Sequence, residues 1–139
     1  MYVVFDTNVL FSALKSQQGA SYELISMLPD ERFHPVLSVP LYIEYQEVLR
    51  RPPLSDNYTD EEIIKFLRYF CRISHLQMVY FLWRPFLKDS DDDMILELAV
   101  AAGCRYVLTH NLRDFAGSER FGVEAIEPGR FLNQIRRKT

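Results

Sequence analysis

Apolar and polar positions along this chain fall into short blocks whose spacing switches repeatedly between the two-residue period of a strand and the wider period of a helix. YVVFD, residues 2–6, reads as a strand, and Thr7 and Asn8 as part of the loop that follows it. A helix is predicted within ASYELISML (20–28), a strand over HPVLS (34–38), and a helix from Pro40 to about Arg51, stopped by Pro52 and Pro53. Thr59 opens TDEEIIKFLRYFCRIS with Glu62 three residues on, the capping-box pattern ahead of apolar positions at helical spacing. Further on come a strand over QMVYF (77–81), a helix through DDDMILELAVAAG ending at Gly103, and a strand over RYVLTH (105–110). A short last strand in VEAIEP precedes a C-terminal helix, FLNQIRRK. Strands thus alternate with helices, which predicts a parallel sheet covered on both faces and joined by right-handed crossovers. No repeat, low-complexity run or linker divides the chain, so residues 1–139 read as one domain, with RRPPLSDNYT as its most mobile loop.

Composition narrows the picture. A chain of 139 residues with 48% hydrophobic content can bury a substantial core. No apolar stretch is long enough to span a bilayer, and Asp6 interrupts MYVVF too soon for a signal-peptide core, so the expected location is the cytoplasm, away from membranes. Cys71 and Cys104 belong to no close pair and read as ordinary reduced thiols. The net charge of −3 argues against a protein that grips nucleic acid by bulk positive charge, although Arg50, Arg51 and the run Arg136, Arg137, Lys138 leave local basic spots.

The acidic residues carry the chemistry. Ligands of open parallel α/β sheets bind outside the carboxyl ends of the strands, and Asp6 stands at such an end. Glu44 lies one turn into the helix after the second strand, KDSDDDM (88–94) leads into the fourth helix, and THNLRDF (109–115) follows the fourth strand. These four segments therefore meet at one edge of the sheet. Carboxylates crowded together repel unless they are protonated or a cation neutralises them. Oxygen donors without His or Cys favour Mg²⁺ or Mn²⁺ over zinc. Asp89 shares a helix face with Asp92 if the helix reaches back that far, and the face carrying Asp92, Leu96 and Ala99 packs inward. Asp93 and Glu97, one position round, are expected to face solvent.

Four motifs in order, DTNVLFSAL, VPLYIEYQEVLRRP, DSDDDMILELAVAAGCRYVLTHNLRDF and a short closing strand and helix, resemble the PIN-domain ribonucleases, especially their bacterial and archaeal toxin-like branch. The resemblance covers nearly the whole chain. It implies a three-layer α/β/α sandwich with a central, mainly parallel sheet of about five strands. It also implies a carboxylate site that binds Mg²⁺ or Mn²⁺ and hydrolyses RNA phosphodiesters. By position, Asp6, Glu44 and Asp92 correspond to successive metal ligands, with Asp89 as a companion and Asp114 as the aspartate of the closing motif. Asn111 stands where many relatives carry Asp, a departure that weakens the hold on a second metal while leaving a carbonyl oxygen as donor. Thr7, Asn8, Ser12 and Thr109 resemble the polar groups that orient such carboxylates.

The implied activity is hydrolysis of single-stranded RNA without a side-chain nucleophile, with Arg50, Arg51 and Arg113 as candidate phosphate contacts and His110 as a candidate rim residue. A toxin of this kind implies an antitoxin protein as partner, and often a homodimer. Two rival classes remain at this stage. A phosphohydrolase or phosphate-accepting receiver expects a second Asp or a late functional Lys, and this chain has Asn8 and no Lys between Lys88 and Lys138. A non-catalytic module that holds RNA or protein is the other, left open by Asn111 and the acidic balance.

Overall fold

Val3, Val4 and Phe5 are consecutive, apolar and wholly buried, which a strand achieves only when both faces of its sheet are covered. In this computed structural model, which describes residues 1–79 and 86–137, they form β1 (Tyr2–Phe5), the centre of a five-stranded sheet. The chain continues through α1 (Thr7–Lys15), α2 (Ala20–Met27), β2 (His34–Leu37), α3 (Val39–Leu49), α4 (Asp60–Ile73) and β3 (His75–Leu76). It then runs through α5 (Ser90–Ala101), β4 (Tyr106–Leu108), β5 (Glu124–Ile126) and α6 (Pro128–Arg137). Strand order is β3-β2-β1-β4-β5 and every pairing is parallel, with Val3 opposite Pro35 on one side and Tyr106 on the other.

From β1 the chain steps outward to β2 and β3, then returns across the sheet to β4 and β5. Right-handed crossovers that travel in opposite directions put their helices on opposite faces. Phe70 of α4 meets Phe5 edge-on at 5.8 Å, and Phe131 of α6 meets Phe33 at 5.4 Å, so these two helices cover the Phe5 face. Helix α5 crosses β1, β2 and β4 on the return path and closes the other layer. The reversal falls between β1 and β4. At such a switch point the two loops leaving the strand ends diverge and open a crevice.

The local signals decided several elements. Thr59 and Glu62 close the reciprocal capping box on α4, at 3.1 and 2.9 Å. Ser38 caps α3 with Pro40 in its first turn, where a missing N–H is harmless. The expected loop after β1 is instead a helix: α1 begins at Thr7, Asp6 takes the N-cap position, and Val9, Leu10 and Ala13 bury one face. Asp6 therefore ends the strand and starts the helix. The strand expected over 77–81 is replaced by β3 at His75–Leu76, with Gln77 N–H still bonded to the Leu37 carbonyl at 2.9 Å. Tyr80 and Phe81 lie outside the described residues. Among the described residues no helix is long and apolar enough to cross a membrane.

Candidate functional site

Asp6 is held from both sides of the β1/β4 crevice. Its N–H bonds the Leu108 carbonyl at 2.9 Å, which fixes the backbone to β4. Its Oδ2 accepts the Thr109 hydroxyl at 2.7 Å and the Asn8 amide at 3.3 Å. Thr109 is fully buried, and its Oγ1 in turn accepts the Asn111 N–H at 3.0 Å. The Asn8 carbonyl accepts the His110 N–H at 3.2 Å, so one amide side chain stitches the first turn of α1 to the loop after β4. With 7% exposure, the Asp6 carboxyl is pushed above its ordinary pKa by burial, the Thr109 hydrogen bond opposing and the Asp114 charge adding.

Glu44 reaches the same crevice from α3. The Thr7 hydroxyl donates to its Oε2. Burial raises Glu44 to about 7; the Thr7 bond works against that rise, and Asp91 and Asp6 reinforce it. Asp92, in the first turn of α5, is also raised to about 7, by burial first and then by the charges of Asp6, Asp114, Asp89 and Glu44. Beneath them Tyr45 donates its hydroxyl to the Phe5 carbonyl, and burial pushes that phenol well above its usual value.

Together Asp6, Glu44, Asp89, Asp91, Asp92 and Asp114 line one open cavity of about 320 Å³, with Thr7, Asn8 and Asn111 at its polar wall. Among the described residues no Lys, Arg or His lines it. A second cavity of about 390 Å³ shares Asp89, Asp92 and Asp114 and adds Phe86, Leu87, Lys88, Arg113 and Ala116. The carboxylate floor therefore passes into a wall that carries two cations.

Most of the residues expected from sequence converge here: Asp6, Glu44, Asp89, Asp92, Asp114, Thr7, Asn8, Asn111 and Arg113 line these cavities, and Thr109 braces Asp6 from below. Asp89 does so as the N-cap of α5 and not from within the helix, its Oδ1 accepting the Asp91 N–H at 2.8 Å. Ser12 lies elsewhere, on a neighbouring pocket with Lys15 and His110. His110 sets its ring against Ser21, 3.2 Å from Nε2, and lines that neighbouring pocket and not the carboxylate cavity. Arg50 is engaged with Asp60 at 2.9 Å and, like the exposed Arg51, lines neither cavity.

Two acidic residues expected at the surface are buried. Asp93 is 8% exposed because its Oδ1 accepts the N–H groups of Leu87, at 2.8 Å, and Phe86, at 3.3 Å, anchoring the segment that enters α5; Glu97 packs one turn further on, 9% exposed. Asp91, Lys88 and Phe86 are site residues that the sequence did not single out. For Asp91 a signal existed: once Asp89 is the N-cap, Asp91 and Asp92 both fall in the first turn, at the sheet edge.

Among the described residues no three His, Cys, Asp or Glu side chains are placed closely enough to hold a metal ion as they stand. The donor chemistry nevertheless fits a hard divalent cation: among the described residues the cavity offers carboxylate and amide oxygens, no sulfur or imidazole, and no positive side chain to balance them. Burial and mutual repulsion that hold Asp6, Glu44 and Asp92 toward their neutral forms are what such a cation would relieve.

The PIN-domain family profile matches residues 2–113. Among solved structures, the chain is similar to one in the crystal structure of VapBC2 from Rickettsia felis bound to a DNA fragment from their promoter. The TM-score is 0.63 at 15% identity, over 91% of this chain and 98% of that one. At that identity the likeness is one of fold. Among curated proteins no match is found.

Proposed function

The chain belongs to the PIN-domain family, and on that premise we propose that it is a metal-dependent ribonuclease that hydrolyses phosphodiester bonds of single-stranded RNA, its 139 residues acting as a single nuclease domain. The observation that carries this reading is the meeting of Asp6, Glu44, Asp92 and Asp114, from four separate segments, in one cavity that no cation lines among the described residues. Asp6, Asp92 and Asp114 would hold Mg²⁺ or Mn²⁺, with Glu44 and Asp89 beside them and the Asn111 carbonyl as a neutral donor. When bound, such a cation supplies Lewis acidity, making water a competent nucleophile at neutral pH and offsetting charge on the leaving oxygen.

The chain's own residues do the positioning. Thr109 and Asn8 fix the Asp6 carboxylate, and Thr7 fixes Glu44. Strand ends and helices carry all of these groups, which limits the reorganisation needed to reach a reactive geometry. Arg113 and Lys88, on the adjoining wall, stand where the charged backbone of an RNA strand can be gripped. The resemblance of DTNVLFSAL and THNLRDF to the toxin-like branch supports a narrower proposal, that the enzyme is the toxin of a toxin–antitoxin pair, restrained by an antitoxin protein and working as a homodimer.

The test is cleavage of a single-stranded RNA in Mg²⁺ or Mn²⁺ by wild type, Asp6→Asn and Asp92→Asn. Wild type is expected to cut, and each variant to lose cleavage at least about a hundredfold while keeping its circular dichroism, the scale seen when preorganised charge is removed from an active site. Equal cleavage by all three would overturn the assignment. A protein that binds the RNA without turning it over would favour the non-catalytic module.

A further inference from the structure

The second cavity has a composition that the carboxylate site does not need. Its volume, about 390 Å³, lies within the range of small-ligand pockets, about 300–1,000 Å³. Phe86, Leu87 and Ala116 give it an apolar side, Lys88 and Arg113 a cationic one, and Asp89, Asp92 and Asp114 join it to the proposed metal site. Lys88 and Arg113 are exposed, and among the described residues neither forms an ion pair, although carboxylates line the same cavity. Both cations stand on the cavity wall, exposed to whatever enters it.

Phe86 is also fixed in place. Phe121 meets its ring edge-on at 5.1 Å, and the Arg120 guanidinium lies 5.9 Å from its centroid. Gly117 allows the close packing: a Cβ there would come within 2.9 Å of the Phe86 ring, and its φ of +91° is one that L side chains rarely adopt. The backbone at Phe86 and Leu87 is held by the Asp93 carboxylate. An aromatic ring held by such neighbours loses little entropy when a planar group packs on it.

We propose that this cavity is a nucleotide subsite, in which the base next to the scissile linkage packs on Phe86 and its phosphate is held by Lys88 and Arg113. The proposal rests on the ribonuclease reading above and names the part of the substrate that this wall recognises. An aromatic face with adjacent cations matches a base joined to a phosphate. A protein segment would need no such pairing of ring and phosphate-binding charge.

The experiment compares two substrates in Mn²⁺: a short single-stranded oligoribonucleotide, and bis(4-nitrophenyl) phosphate, a diester with no base. Phe86→Ala is expected to lower kcat/KM on the oligonucleotide about tenfold relative to that on the small diester, chiefly through KM, on the scale of a single base–aromatic stack. Phe86→Tyr, which keeps the ring, restores the ratio. Wild type acting on an oligonucleotide abasic beside the cleaved linkage should show the same rise in KM, and this arm decides the matter if Phe86→Ala does not fold. Wild-type turnover with equal KM for the abasic and intact strands overturns the subsite and leaves the nuclease standing. So does a Phe86→Ala defect confined to binding of a protein partner. Absence of turnover on both substrates by wild type overturns the nuclease reading, and the subsite with it.

Discussion

At the scale of single residues, the most informative side chain is Thr109, which is fully buried and donates to Asp6 at 2.7 Å. It is the largest effect opposing the burial that raises the Asp6 pKa. Thr109→Val keeps the shape and removes the donor, so Asp6 becomes harder to ionise and a worse ligand. Mn²⁺ affinity, read by calorimetric titration, is expected to fall about tenfold, the lower end for loss of a group that orients a metal ligand; Thr109→Ser should retain it. Unchanged affinity in the valine variant would reduce Thr109 to packing. The position of Asp6 at the end of β1, on the wall of the crevice, was legible in the sequence, because a carboxylate closing an apolar strand marks that end. The pair Asp92 and Asp93 was legible only in part. The spacing of Asp92 to Leu96 and Ala99 correctly turned that face inward, but the burial of Asp93 depends on the path by which Phe86 and Leu87 arrive, and no periodicity records that path.

At the scale of elements, legibility followed the range of the interactions. Helix α4 carries its start signal within four residues, and the capping box appears as read. Thr59→Ala removes the acceptor for the Glu62 N–H and is expected to lower unfolding free energy by about 1 kcal/mol in urea titration. RNA cleavage should be unaffected, since α4 contributes nothing to the lining of either cavity. A loss well above that figure would mean that the cap also fixes how α4 docks through Phe70 on Phe5. Helix α1 was missed for a related reason: its cap position is filled by Asp6, whose side chain makes no capping hydrogen bond and is committed to Thr109 and Asn8 instead. A carboxylate bonded elsewhere occupied the place where a boundary signal is ordinarily read. Strand β3 is only two residues long and exists because Val36 and Leu37 pair with it, a long-range condition that a local pattern does not contain.

At the scale of the whole molecule, the fold brings together charges that would be far apart in the unfolded chain, and this sets how stability depends on pH. Glu44 and Asp92 titrate near 7 when folded, against ordinary values of 4.5 and 3.8. Between those limits the folded state holds more protons than the unfolded one, so stability falls as pH rises. The contribution is intact below about pH 4 and gone above about 7. Asp30, lowered to about 2 by its hydrogen bond to Arg32, acts in the opposite sense, but only below its ordinary 3.8, and so leaves this window untouched. Each shift would be worth about 3–4 kcal/mol at full strength; for these half-exposed groups screening reduces that to about 1 kcal/mol apiece. The metal-free protein, kept in chelator, should therefore lose about 5 °C in Tm between pH 4.5 and 7.5. Added Mn²⁺ binds the ionised carboxylates, so its stabilisation grows with pH and the two Tm curves diverge through the same interval. Asp92→Asn should flatten the chelator curve and narrow the divergence. A metal-free Tm that is level or rising from pH 4.5 to 7.5 would show that the crowding of Asp6, Glu44 and Asp92 is relieved without a cation, and would remove the electrostatic reason for placing one there.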